Sequence, residues 1–273
     1  MARAVFAICV FLMFGAFATA NTCRADDPAA PTEFHMTINP NKYIPEAKES
    51  DSVSEISSKG VAHLFQGKIG LAVKEFGMAI ARQPNDPDLY RERCWAYEGS
   101  EGYYDLALAD CDKAVALATE QNHLDASLFL LRGQVFKDGG QYARAIADYD
   151  RALEMDGTNE NLLLFRCEAR ARWGQDLANG WNDCAAYNNK MHGDGDSFEA
   201  MSLIRYRMKN FSDAAALAEK AVALDAKDPP ALYLRGLAKR QTGDITDGNA
   251  DIAAAKAIDP KIAQTYAGYG VTP

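Results

Sequence analysis

The feature that most constrains this 273-residue chain is an internal repeat of 34 to 38 residues that runs from residue 53 to residue 262. Residues 126–159 show it most clearly, because two amphipathic stretches flank Gly139 and Gly140. The first stretch places large apolar residues at three- and four-residue spacing, and glycine readily adopts backbone angles that end a helix. Neither predicted helix buries its stripe alone, so the pattern predicts helix pairs that stack on their neighbours.

Small residues recur at matching places in every repeat. The predicted units are 53–86, 87–121, 126–159, 160–194, 195–228 and 229–262. A small residue opens each second helix, at Ala72, Ala107, Ala145, Gly180, Ala214 and Gly248. A second small residue follows seven positions later in every unit except the fourth. There Tyr187 takes its place, which predicts a distorted unit. Asp196 and Glu199 are spaced as a helix-capping box at the start of the fifth unit.

In their order and spacing, these small and aromatic residues resemble the tetratricopeptide repeat family. The resemblance implies an all-α fold, an α-solenoid in which about six helix-turn-helix repeats form a right-handed superhelix. It also implies that residues 263–273 are the end of a short C-terminal capping helix and a tail. Members of the family mostly bind peptides or extended partner segments in a concave groove lined by the first helices, and they share no catalytic residues. Fold alone does not give function.

The N-terminal residues predict export. A positive start, an apolar run and small residues before Asn21 predict that residues 1–20 are a signal peptide. The alternatives are an uncleaved anchor, for which the run is short, and lipid attachment at Cys23, whose preceding residues fit poorly. Residues 21–52, rich in proline and charge, predict a flexible segment. The resemblance and the signal together predict an exported bacterial protein, periplasmic or secreted, with no membrane insertion after cleavage.

Charge and motif content exclude several function classes. The 29 Lys and Arg residues against 38 Asp and Glu residues give a net charge of −9, whereas nucleic-acid binding relies on a basic surface. No catalytic motif is present, so we expect no enzyme activity and no cofactor. The histidines have no second zinc ligand at helical spacing, so we expect no metal. They are His35, His63, His123 and His192.

Basic and acidic residues stand at matching heights on the two predicted helices of five units. The expected pairs are Lys59–Glu75, Arg93–Asp110, Arg132–Asp148, Arg166–Asp183 and Arg235–Asp251. In the fifth unit Met201 and Leu217 replace both members together. Aligned arginines also suit a ladder for an anionic ligand, but the paired replacement favours structural ion pairs whose arginine stems pack between helices.

The positions expected to face the groove carry a mixed aromatic and charged lining. The family's carboxylate clamp of lysine, asparagine and arginine is absent, because Ser57 and Val61 stand at the relevant positions. The candidate ligand-binding residues are Arg91, Trp95, Gln134, Glu168, Arg172, Tyr206 and Tyr233. Such a lining suits a peptide with alternating anchors. The alternative for each residue is an ordinary solvated helix face.

Two cysteine pairs share one spacing. Cys94 and Cys111 are 17 residues apart, as are Cys167 and Cys184. Each pair joins positions at equal height across a turn, where Cβ atoms come within the distance of about 4 Å that a disulfide requires. We therefore predict disulfides Cys94–Cys111 and Cys167–Cys184; buried free thiols are the alternative. Whether Cys23 is free, lipidated or bonded to another chain stays open.

Together these features favour a non-catalytic scaffold that binds a protein or peptide partner of unknown identity, with no role for nucleic acid. Two alternatives stay open. One is a thiol or metal protein that uses the cysteine pairs. The other is a groove for carbohydrate or cell-wall fragments, which only Trp95, Tyr206 and Tyr233 suggest.

Overall fold

The computed structural model describes residues 44–100 and 102–272, and every regular element within them is an α-helix. The helices are α1 Val53–Phe65, α2 Ile69–Arg82, α3 Pro87–Tyr97, α4 Tyr104–Glu120, α5 Ala126–Asp138, α6 Tyr142–Met155, α7 Asn161–Trp173, α8 Leu177–Met191, α9 Gly195–Arg207, α10 Phe211–Leu224, α11 Pro229–Gln241, α12 Ile245–Ile258 and α13 Ile262–Gly268. The predicted signal peptide and residues 21–43 lie outside the described residues. In the described part, no helix has both the length and the apolar character needed to cross a bilayer.

Helices α1 to α12 form six consecutive pairs, which confirms the all-α solenoid. Each second helix also packs on the first helix of the next pair, and neighbouring first helices touch one another. We call the surface formed by α1, α3, α5, α7, α9 and α11 the first-helix face. Within the fourth pair Tyr187 occupies the position of the usual alanine, and α9 packs on α7 as extensively as on α8.

Glycine and an aromatic ring meet inside two of the pairs. Gly60 lies under the ring of Phe76 and Gly133 under the ring of Tyr149, and both rings are fully buried. A Cβ atom on either glycine would lie within 2.7 Å of a ring carbon, closer than van der Waals contact permits. The recurring small residue of the first helix therefore exists to admit a large side chain from the second.

Disulfides occupy the same place in the second and fourth pairs. The structure joins Cys94 to Cys111 and Cys167 to Cys184, with Cα–Cα distances of 5.5 and 5.6 Å. Both distances lie in the ordinary range for disulfides. A covalent bond thus replaces the glycine–aromatic contact in these two units, and the pairs are those that the sequence predicts.

The start of the fifth pair differs from the prediction. Asp194, not Asp196, is the N-cap residue of α9, and its side chain accepts a hydrogen bond of 2.8 Å from the backbone amide of Ser197. The Ser197 hydroxyl in turn accepts from the Asp194 amide. Since the helix begins at Gly195, Asp196 already lies in its first turn, where it cannot act as the cap.

Residues 44–52 are hydrogen-bonded to the first pair, whereas the sequence predicts a flexible segment over residues 21–52. The Ala47 amide donates to Glu75 (2.9 Å), and the imidazole of His63 bridges Glu75 (2.8 Å) and the Ile44 carbonyl (3.1 Å). Glu75 is therefore already occupied, and the expected Lys59–Glu75 pair is absent. Lys59 instead binds Asp51 at 2.6 Å.

Candidate functional site

Four arginines of the first helices, one in each of four units, are bound to acidic partners within their own pairs. Each guanidinium contacts both carboxylate oxygens of one aspartate on the second helix, the geometry that Arg–carboxylate pairs favour. The distances are 2.6 and 2.8 Å for Arg93–Asp110, 2.8 and 2.8 Å for Arg132–Asp148, 2.9 and 2.6 Å for Arg166–Asp183, and 2.8 and 2.6 Å for Arg235–Asp251. These hydrogen bonds raise the pKa of Arg132 and Arg235 above the ordinary value. The arrangement does not leave a row of arginines free for an anionic ligand.

A second acid, which the sequence reasoning missed, links each pair to the one before it. Three of the arginines also bind a carboxylate on the preceding second helix: Arg132–Asp112 (3.0 Å), Arg166–Asp150 (2.6 Å) and Arg235–Glu219 (2.7 Å). This acid stands two residues after the position of the buried one. Among the five units that another pair follows, two have no acid at this position. Gly77 occupies it next to Arg93, and Ala185 occupies it before the fifth unit, where Met201 replaces the arginine. The spacing was therefore visible in the sequence.

The first-helix face has an open half, which we define as the exposed surface of α1, α3 and α5. Phe65 and Trp95 meet there edge to face, with ring centroids 5.7 Å apart, and Phe65 is 55% exposed. Trp95 and Gln134 are half-buried. Arg91 is held by Asp88 at 3.0 Å and Asp125 at 3.4 Å. Tryptophan is one of the residue types enriched among those that carry most of the binding energy of protein interfaces.

Carboxylates flank this aromatic pair. Burial and the nearby charge of Asp138 raise the pKa of Glu98 to about 7. Glu92 accepts a hydrogen bond of 2.6 Å from Ser57, and burial raises its pKa. Neither carboxylate has an ion pair with a lysine or arginine among the described residues, so the open half favours a cationic group on a ligand.

The other half of the face is covered by α13, and this corrects the predicted lining at two positions. Tyr233 is fully buried beneath Tyr266, with ring centroids 5.0 Å apart, so it does not line a groove. Glu168 is 9% exposed and binds Lys137 at 2.6 Å and Arg172 at 3.5 Å. Neither side chain is available to a ligand while α13 stays in place.

The two remaining predicted residues also have partners from the chain itself. The guanidinium of Arg172 lies 5.8 Å from the ring of Tyr269, which follows α13, and the charge of Glu168 helps to raise the pKa of Arg172. Tyr206 is half-buried and packs edge to face on Phe211, with centroids 5.2 Å apart. The structure thus brings Glu168 and Arg172 together under the C-terminal segment and leaves Arg91, Trp95 and Gln134 outside it.

A small acidic pocket of about 90 Å³ lies between α7, α9 and α13. Burial and the charge of Glu168 raise the pKa of Asp196 to about 6. Burial and a hydrogen bond with the carboxyl of Asp228 raise the pKa of Glu199 well above its ordinary value. No group of His, Cys, Asp and Glu side chains in the described ranges is placed to hold a metal ion.

The raised pKa of Glu199 predicts that the folded protein is more stable at acidic pH than at neutral pH. A carboxyl whose folded-state pKa is raised contributes stability below its unfolded pKa of about 4.3, and that contribution is lost as the pH rises through the folded value. We expect the melting temperature of the protein to fall between pH 5 and pH 8, and to fall less in Glu199→Gln. Thermal melts followed by circular dichroism test this, with exposed Glu120→Gln as the control; parallel pH profiles for all three proteins contradict it.

Comparison with known proteins agrees with this architecture. Residues 126–159 and 200–261 match sequence models of the tetratricopeptide repeat. Both matched stretches are tetratricopeptide repeats. A curated relative is the small glutamine-rich tetratricopeptide repeat-containing protein 2 of Mycosarcoma maydis, 22% identical over 142 residues, which are 52% of this chain and 39% of the relative. The match therefore spans well under half the length of that protein.

Solved structures give the same fold. A tetratricopeptide repeat protein from Parabacteroides merdae superposes with a TM-score of 0.61 at 18% identity, over 80% of this chain and 84% of that one. YrrB, described as a tetratricopeptide repeat protein with an unusual peptide-binding site, superposes with a TM-score of 0.54 at 17% identity, over 66% of this chain and 90% of its own. At these identities the likeness shows the fold.

Proposed function

We propose that this protein is a non-catalytic scaffold that binds a peptide or extended segment of a partner protein across the open half of the first-helix face. The observation that carries the proposal is the accessible Phe65–Trp95 pair, which sits on this face with no helix over it in the described part of the chain. Apolar rings gain free energy when a partner removes them from water. The family's general role in protein interaction and the peptide site of YrrB agree with this assignment.

The charge of the open half indicates which side chains the partner segment carries. Glu92, Glu98 and Asp138 have raised pKa values, because burial and like charge disfavour their ionised forms. A lysine or arginine on the partner would relieve both effects, whereas a carboxylate would add to them. We propose a partner segment that places an apolar or aromatic side chain on Trp95 and a basic side chain beside Glu98.

We further propose that the protein works in the periplasm or cell envelope. Disulfides persist in oxidising compartments and are rare in reducing ones, and two cysteine pairs have disulfide geometry. The predicted signal peptide agrees with this location. The thiol hypothesis loses its basis for these four cysteines, because their sulfurs are bonded. The carbohydrate hypothesis loses one of its three aromatic residues, because Tyr233 is buried.

We expect Trp95→Ala to weaken partner binding tenfold to a hundredfold, which corresponds to about 1.4 to 2.8 kcal/mol. A partner is first isolated by cross-linking in the cell envelope and mass spectrometry, and its dissociation constant is then measured by calorimetry. Leu106→Ala is the matched control, because Leu106 is 51% exposed on the second helix of the same pair. Equal affinities for the wild type and Trp95→Ala would remove the proposed site.

A further inference from the structure

The C-terminal helix does more than cover the last pair. Helix α13 packs on α11 and α12, and Tyr266 and Tyr269 line a pocket together with residues of α7 and α9 on the first-helix face. Tyr266 and Val271 are 4% and 3% exposed in the same apolar cluster as Leu203 and Leu234. Arg207 of α9 donates to the Tyr269 carbonyl, 62 residues along the chain. A segment of the chain therefore covers one half of the first-helix face, whereas the other half is open.

We propose that this covered half is a second binding site, for a short helix with aromatic residues three positions apart, and that the chain fills it with its own residues 262–271. A partner segment of the same chemistry binds there by displacing α13. The inference deepens the proposed function and rests on it, since it treats the whole first-helix face as a binding surface. It adds a different ligand class and a competition within the chain.

The ligand class follows from the contacts that α13 makes. Tyr266 packs on Tyr233 at 5.0 Å, and the Tyr269 ring lies 5.8 Å from the Arg172 guanidinium. The two tyrosines are also in contact, with ring centroids 5.5 Å apart, so they present one aromatic edge to the face. Arg207 binds the backbone carbonyl just after the helix. A competing ligand needs two aromatic side chains on one helical edge and a free carbonyl at the end.

The way in which α13 is docked favours its replacement by a partner segment. A seven-residue helix is not stable by itself in water, so α13 keeps its structure only while it is docked. The fit is also incomplete. The hydroxyl of the fully buried Tyr233 has no hydrogen-bond partner, and the acidic pocket lies directly under α13. An unpartnered buried hydroxyl costs free energy, and a ligand that supplies an acceptor gains that contribution.

The tether makes the competition measurable. Only Asp259, Pro260 and Lys261 separate α12 from α13, and a short connection gives a tethered segment an effective concentration on the order of millimolar. A free copy of the segment therefore binds the wild type poorly. Weakening the tethered copy exposes the site, and the apparent affinity for a free copy rises in proportion.

The test uses a fluorescein-labelled peptide of residues 260–273 and the full chain. We expect Tyr269→Ala to bind the peptide at least tenfold more tightly than the wild type, measured by fluorescence anisotropy. Tyr266→Ala, in a more buried position, should give a larger increase if the last pair stays folded. A peptide with both tyrosines replaced by alanine is the control and should bind none of the proteins.

Equal peptide affinity for the wild type and a folded Tyr269→Ala would overturn the proposal. Hydrogen exchange supplies an independent readout. Adding the unlabelled peptide should speed exchange in α13 of the wild type, and exchange that stays unchanged at saturating peptide contradicts displacement. Trp95→Ala should leave all these values unaltered, because Trp95 lies in the open half. A failure of the proposed function at Trp95 is thereby distinguished from a failure here.

Discussion

Replacing Arg132 by methionine should lower the free energy of unfolding by about 3 kcal/mol, because it leaves the nearly buried carboxylate of Asp148 without its partner. The value lies at the lower end for broken buried pairs, since the Arg132 side chain keeps 19% of its exposure. Adding Asp148→Leu should restore most of the loss. The double variant reproduces the fifth unit, where Met201 and Leu217 stand at these positions.

The second acid bound by Arg132, on the preceding helix pair, allows a third substitution in this experiment. Asp112 also binds Arg132, at 3.0 Å, and Ala185 stands at its position before the fifth unit. The triple variant Arg132→Met, Asp148→Leu, Asp112→Ala should be at least as stable as the double variant. Urea denaturation of all single and combined variants measures the coupling energies. Additive effects of Arg132→Met and Asp148→Leu would show that the ion pair is not a stabilising unit. They would favour the alternative, in which the aligned arginines bind an anionic ligand.

Removing either disulfide should cost about 3 kcal/mol of unfolding free energy. Each bond closes a loop with a sequence separation of 17, and a loop of this size restricts the unfolded chain by that amount. We expect Cys167→Ala with Cys184→Ala to denature at lower urea concentration than the wild type without reductant. Dithiothreitol should bring the wild type down toward the variant.

A repeat-matched replacement serves as the control. Cys94→Gly with Cys111→Tyr introduces the Gly133 and Tyr149 contact of the third unit, so it should be more stable than the corresponding double alanine variant. Thiol titration of the denatured, unreduced protein, cleaved before Asn21, should find one free thiol, that of Cys23. Five free thiols would contradict both disulfides.

The parts of the structure that repeat were predictable from the sequence. The same position recurs in six units, so each unit acts as a control for the others. Cys94 and Cys111 stand where another unit has Gly133 and Tyr149, and this correspondence in the sequence predicts that the two cysteines lie opposite each other. The arginine–aspartate pairs follow from the same register.

Features without a counterpart in other units were not predictable in this way. Lys59 pairs with Asp51 because the segment before α1 supplies both Asp51 and the Ala47 amide, which is one of the two partners of Glu75. The position of α13 depends on contacts such as Tyr266 with Tyr233, which lie far apart in the sequence and have no periodic signal. Tyr233 occupies a position that faces outward only if nothing covers it, so its burial depended on where the last helix docks.

Site-specific photo-cross-linking tests whether the open half of the first-helix face is the partner surface. A photoreactive phenylalanine analogue replaces Phe65 in one protein and Leu106 in another, since both positions are about half exposed, at 55% and 51%. Each is irradiated with the purified partner, and the adducts are mapped by mass spectrometry. We expect an adduct from position 65 that is lost in Trp95→Ala, and none from position 106. An adduct from position 106 alone would contradict it.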